Sequence, residues 1–91
     1  MKYAHVPKYI LSYEKLNSTE RLVMGMIYSL TRMSGECYAP NSYFSDELGF
    51  SPRTISSAIS SLKREDLIIA KKIDNNRKIF LTEKFKNNVE E

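Results

Sequence analysis

Between Ser51 and Arg64 the chain sets hydroxyls and cations where they could grip a hydrogen-bonding, negatively charged surface. Ser51, Thr54, Ser56, Ser57, Ser60 and Ser61 are interspersed with Arg53, Lys63 and Arg64, and no acid interrupts them. Hydroxyls bond to bases or to phosphates, and an arginine fork can take the two major-groove acceptors of a guanine. Serine is only a middling helix former. Its repetition here argues for contact rather than for solubility, which Glu, Lys and Gln supply better. A second cationic group, Lys71, Lys72, Arg77 and Lys78, flanks Asp74-Asn75-Asn76. Bases around a turn suit phosphate contacts, which position a protein on a polyanion without reading it. They also discourage a strand edge from aggregating, and the two uses are compatible.

The distribution of charge supports this. Of the net +3, nothing comes from Met1 to Phe50, where five bases cancel five acids. Ser51 to Lys86 holds nine bases and four acids, and Glu90 and Glu91 take two charges back. Such asymmetry points to one polyanion-binding face rather than a generally basic protein.

Other chemistries find little to work with. The single histidine, His5, has no cysteine or carboxylate at ligand spacing, and one cysteine, Cys37, cannot form a multi-cysteine zinc site or an intrachain disulfide. The three glycines, at 25, 35 and 49, form no phosphate-cradling loop. Asp46-Glu47 and Glu90-Glu91 read as surface acids. No catalytic residue, metal ligand or cofactor is expected, and Cys37 reads as a small apolar side chain. No membrane span or signal-peptide pattern is visible, so a cytoplasmic, soluble protein is expected.

The elements that must position these residues follow from caps and periodicity. Met1–Leu16 reads as an arm, extended or with one helical turn after Pro7, packing on the body. Asn17 and Glu20 have the spacing of a capping box, with Leu16 placed for a hydrophobic staple. Leu22, Val23, Met26, Ile27, Leu30 and Met33 then give an amphipathic core helix of about sixteen residues, ended by Ser34-Gly35. Met24, Met26 and Met33 read as core filler. Cys37-Tyr38-Ala39 is a stub of strand, and Asn41 is placed to cap a short helix over 42–48. Gly49 stops that helix, and Phe50 can plug the space before the next one. Ser51 at the cap with Pro52 behind it opens a third helix running to about Glu65. Its apolar stripe is Ile55, Ala58, Ile59 and Leu62. At 100° per residue the opposite face centres on Arg53, Ser57, Ser60 and Arg64. Residues 67–73 and 78–82 read as a hairpin around Asp74-Asn75-Asn76, and 83–91 as a flexible tail.

Two helices joined by a glycine turn, with a hairpin after the second, is the winged helix-turn-helix order. The expected class is therefore mainly α with a small β-hairpin (α+β), with 1–16 as an arm, 17–82 as the domain and 83–91 as the tail. The expected partner is double-stranded DNA, the third helix entering the major groove and the hairpin meeting the backbone or minor groove.

The chain resembles the N-terminal DNA-binding domains of phage and plasmid replication initiators and replisome organisers. The likeness covers about Val6 to Thr82. It rests on Val6-Pro7 with Ile10-Leu11, on Leu16-Asn17-Ser18-Thr19-Glu20-Arg21-Leu22 and on Gly25-Met26-Ile27. It continues through Gly35-Glu36-Cys37-Tyr38-Ala39-Pro40-Asn41, Leu48-Gly49-Phe50-Ser51-Pro52-Arg53-Thr54-Ile55 and Ser61-Leu62-Lys63-Arg64-Glu65-Asp66-Leu67-Ile68. The resemblance implies origin or operator binding, a homodimer through the arm and first helix, and replication proteins as further partners. Initiators carry a further C-terminal domain, so the chain is expected to be an excised domain or a small regulator of a mobile element. Asp66 stands where relatives often have glycine. An adaptor without a DNA role is the competing reading, with Tyr3, Tyr9 and Tyr13 of the arm as its contact residues; a packed arm or a dimer seam would use the same rings.

Overall fold

The computed structural model describes residues 6–89. Within them the order is α1 (Lys8–Leu11), α2 (Ser18–Ser34), α3 (Asn41–Leu48), α4 (Pro52–Arg64), β1 (Ile68–Ile73), β2 (Asn76–Leu81) and α5 (Glu83–Asn88). Tyr3, His5, Glu90 and Glu91 lie outside the described residues. The fold is mainly helical with one antiparallel hairpin, a winged helix-turn-helix.

Both halves of the expected capping box open α2. The Asn17 side chain accepts from the Glu20 amide at 2.8 Å, and Glu20 Oε1 accepts from the Asn17 amide at 2.9 Å. Gly35 closes it at φ 85°, a left-handed conformation that glycine takes without penalty. The staple is absent. The residue that should meet Leu16 is Arg21, whose guanidinium instead donates to the Tyr13 carbonyl at 2.9 Å, and Leu16 joins the core.

The expected amphipathic stripe understates α2. Six consecutive residues, Val23 to Tyr28, are buried, because α1, α3, α4, β2 and the Phe85 ring of α5 surround the middle of the helix. Only its end emerges. Met33 is 71% exposed and is not core filler.

Asn41 does not cap α3. It is the first helical residue, preceded by Pro40 in the cap position, and its carboxamide is used elsewhere, as described below. Asp74 and Asn75, with φ of 52° and 65°, make a two-residue hairpin turn. Two positive φ values are what a type I′ turn requires, and its twist matches that of the strands. The return strand therefore starts at Asn76, two residues earlier than expected. Cys37 pairs with Ile79 through bonds of 3.0 and 2.8 Å, which adds a third, one-residue strand on the far side of β2.

Residues 83–88 are helix rather than flexible tail. Thr82 caps α5 by accepting from the Phe85 amide at 3.2 Å. Phe85 is fully buried, its ring 5.3 Å from that of Tyr28 and 6.0 Å from that of Tyr9. The arm is the other wall of this seam. Tyr9 and Tyr13 stack edge-on at 5.6 Å, and Lys84 Nζ donates to the Tyr13 hydroxyl and the Glu65 carbonyl, each at 2.8 Å. The α1 turn, the end of α4 and α5 are thereby tied together.

Candidate nucleic-acid interface

The turn between α3 and α4 is three residues long. Gly49 ends α3 at φ 80°, its amide bonded to the Ser45 carbonyl at 2.9 Å. A non-glycine residue there would meet its own carbonyl. Ser45 Oγ donates to the Phe50 carbonyl, which fixes the far side of the turn, and half-buried Phe50 packs on the core. Ser51 then caps α4: its Oγ accepts from the Thr54 amide at 3.1 Å and donates to Thr54 Oγ1 at 2.9 Å.

Ile55, Ala58, Ile59 and Leu62 of α4 are buried, with α2 and α3 packed along the helix. One buried stripe decides what the rest of the helix presents. Arg53, Ser56, Ser57, Ser60, Lys63 and Arg64 are all exposed on a helix about 20 Å long. The remaining expected contacts are partly spent. Ser51 and Thr54 bond each other at the cap, and half-buried Ser61 accepts from Arg64 Nη2 at 3.0 Å. The start of α2 brings in a residue the sequence did not flag: Thr19, with Asn17 and Glu20, shares a shallow cleft with Arg53, Thr54 and Ser57. Only the packing of α2 on α4 makes them neighbours, so no local pattern could reveal it.

The hairpin cations do not form one group. Register places Lys72 opposite Arg77 and Lys71 opposite Lys78. Opposed residues share a face and adjacent ones do not, so the four divide into two pairs on opposite sides of the sheet. The face of Lys72 and Arg77 is the one that carries buried Ile68 and Ile79, which identifies it as the body side.

Arg77 is half-buried. Its Nη1 donates to Asn41 Oδ1 and its Nη2 to the Ala39 carbonyl, both at 2.6 Å, and burial lowers its pKa from the usual arginine value. On the outer face Lys78 pairs with Glu36 at 3.4 Å and lies 5.0 Å from the Tyr38 ring centroid. The Tyr38 hydroxyl, bonded to Glu36, lowers the pKa of that carboxyl, and Lys78 adds to the effect; the tyrosine is raised in turn. Lys71 sits 5.8 Å over the Phe80 ring and is exposed, as are Lys72, Asn75 and Asn76.

A family described as a helix-turn-helix domain matches residues 14–68. The chain belongs to this family. Within the matched residues α3 and α4 are the two helices joined by the short turn at Gly49, α4 being the second of the pair. The match ends at the first residue of β1, and the hairpin and the Cys37 bridge complete the winged form. Comparison with curated proteins and with solved structures gave no significant match. Among the described residues no group of three or more His, Cys, Asp or Glu side chains is placed to hold a metal ion, and no helix is long and apolar enough to cross a membrane.

Proposed function

We propose that this helix-turn-helix domain binds double-stranded DNA sequence-specifically. In this reading α4 lies in the major groove and the wing lies against the adjoining backbone. The observation that carries it is the outward face of α4: exposed, free of acids and free of bulky apolar groups, with a guanidinium near each end. Short side chains let the helix approach the base edges closely. Arg53, in the first turn, is the base reader; Lys63, Arg64, Lys71 and Lys72 neutralise phosphates, with Ser56, Ser57 and Ser60 bonding at the groove. Asn75 and Asn76 at the wing tip are minor contributors.

Replication origins are the proposed targets, on the strength of the sequence resemblance to initiators of phages and plasmids; repression of a mobile element's promoter is the alternative. Binding as a two-fold dimer would place half-sites about 34 Å apart. That dimer cannot use the middle of α2, which the chain's own elements cover, and Tyr9 and Tyr13 are packed against α5. The same packing weakens the adaptor reading, which needs those rings free.

Salt titration of duplex binding is the test. Four phosphate-neutralising cations correspond to a slope of log K against log salt of about −3.6 per monomer, so affinity falls about 150-fold between 50 and 200 mM. Arg53→Ala should flatten base preference in a selection from random duplexes, whereas Lys72→Ala should weaken all sequences alike. Failure of the domain to bind any duplex at low salt would end the DNA reading.

A further inference from the structure

We infer that Arg77 is a positioning residue: it is the strut that holds the wing against the helix-turn-helix, and it acts on DNA through Lys72 rather than by touching a phosphate. The inference rests on the DNA-binding reading and goes beyond it, because charge alone would place Arg77 among the phosphate ligands.

The geometry is that of a clasp. A guanidinium is planar and offers its donors as a fixed fork, which a lysine cannot reproduce. Here the fork spans two acceptors on either side of Pro40, the Ala39 carbonyl and the Asn41 carboxamide, where the stub strand turns into α3. Both acceptors are neutral, so they hold the group in place without discharging it. On β2 the side chain leaves from the body face, in line with buried Ile79. The clasp is also the last anchor before the wing tip, since residues 71–76 are all exposed. Without it the next backbone hold on β2 is Ile79, bonded to Cys37 at 3.0 and 2.8 Å, with only the side-chain ion pair of Lys78 and Glu36 at 3.4 Å between them. At about 3.4 Å per residue, the free lever to Asn75 grows from about 7 Å to about 14 Å. A two-stranded hairpin is marginal by itself, so the longer lever loses its fixed direction. Lys72 is directly across the ladder from Arg77 on the same face. It is the side chain whose placement the clasp sets.

The test compares wild type with Arg77→Lys, Lys72→Ala, their double variant and Asn41→Ala, by salt titration on one selected duplex, with each protein's folded fraction measured. Arg77→Lys keeps the charge and breaks the fork. The expected result is that it lowers the slope by about 0.9 and affinity by about eight-fold at 0.1 M salt, as Lys72→Ala does. The double variant should then match either single one. Asn41→Ala, which removes one acceptor without touching the wing, should move affinity in the same direction and serves if Arg77→Lys does not fold. A near-wild-type Arg77→Lys would overturn the inference, as would losses that add in the double variant, since both mark Arg77 as an independent phosphate ligand. An unchanged slope in Arg77→Lys and Asn41→Ala, with Lys72→Ala reduced, would also overturn it, because the clasp would then be structural only. Absence of duplex binding by wild type is a different outcome and sinks the DNA reading itself.

Discussion

Truncating Phe85 to alanine should cost this domain about 3 kcal/mol of stability. The ring is completely buried between Tyr28 of α2 and Tyr9 of the arm, at centroid distances of 5.3 and 6.0 Å. Removing a buried phenylalanine costs about 3–5 kcal/mol, the transfer of the ring plus the cavity it leaves. The lower end applies here. A six-residue helix cannot sustain itself, so α5 would detach and water would fill the seam rather than leave a void. Domains of this length have total stabilities of about 5–13 kcal/mol, so the loss is about a quarter to three-fifths of the whole. At about 4–8 °C per kcal/mol, Tm should fall by about 12–24 °C. Thermal and urea unfolding followed by far-UV circular dichroism measure it. Lys86→Ala, exposed on the same helix, is the control and should stay within about 0.5 kcal/mol of wild type. A Phe85→Ala protein within 1 kcal/mol of wild type would refute the docking of α5. It would also return Tyr9 and Tyr13 to the surface as contact residues for a partner.

Ser57→Glu places a carboxylate on the outward face of α4, and should reduce duplex binding at least ten-fold while leaving Tm unchanged, read by mobility shift and calorimetry. Asp66 has φ 60°, so Asp66→Ala should destabilise by about 1 kcal/mol through left-handed strain, while Asp66→Gly should match or exceed wild type in urea unfolding. Burial pushes the Cys37 thiol up, so a thiol reagent at pH 8 should label it only in proportion to the unfolded fraction. Its folded pKa lies above the unfolded value of about 8.5. The stability it contributes is therefore intact below pH 8 and declines as pH rises past that value, which urea midpoints from pH 7 to 10 will show.

Much of the fold is readable locally because its boundaries are set by local chemistry. Asn17 with Glu20, Ser51 with Pro52, Gly35, Gly49 and the Asp74-Asn75 pair each satisfy a backbone demand within a few residues. Asp66 belongs with them: it takes a positive φ of 60°, which glycine adopts without strain. What stayed hidden depends on partners far away in the chain. The full burial of α2 follows from the elements that wrap it, not from its own periodicity. Phe85 stands alone after the wing, in a segment too short for propensity to declare a helix, and its partners Tyr9 and Tyr28 precede it by more than fifty residues.

The two halves of the candidate interface differ for the same reason. On α4 a single apolar stripe fixes which residues face outward, because a helix turns 100° per residue whatever packs behind it. The outward face of Arg53, Ser57, Ser60 and Arg64 could therefore be drawn before any contact was known. On the hairpin the count of cations carries no direction. Adjacent Lys71 and Lys72 leave on opposite faces, and which face meets the body is decided by the bridge from Cys37 to Ile79, across more than forty residues. A slip of that pairing by one residue would reverse every side chain. Lys71 and Lys78 would then turn inward, and Arg77 would turn outward, away from Ala39 and Asn41. The role of each wing residue is thus a property of the register, and the clasp at Ala39 and Asn41 is the interaction through which Arg77 reports which register the chain has taken.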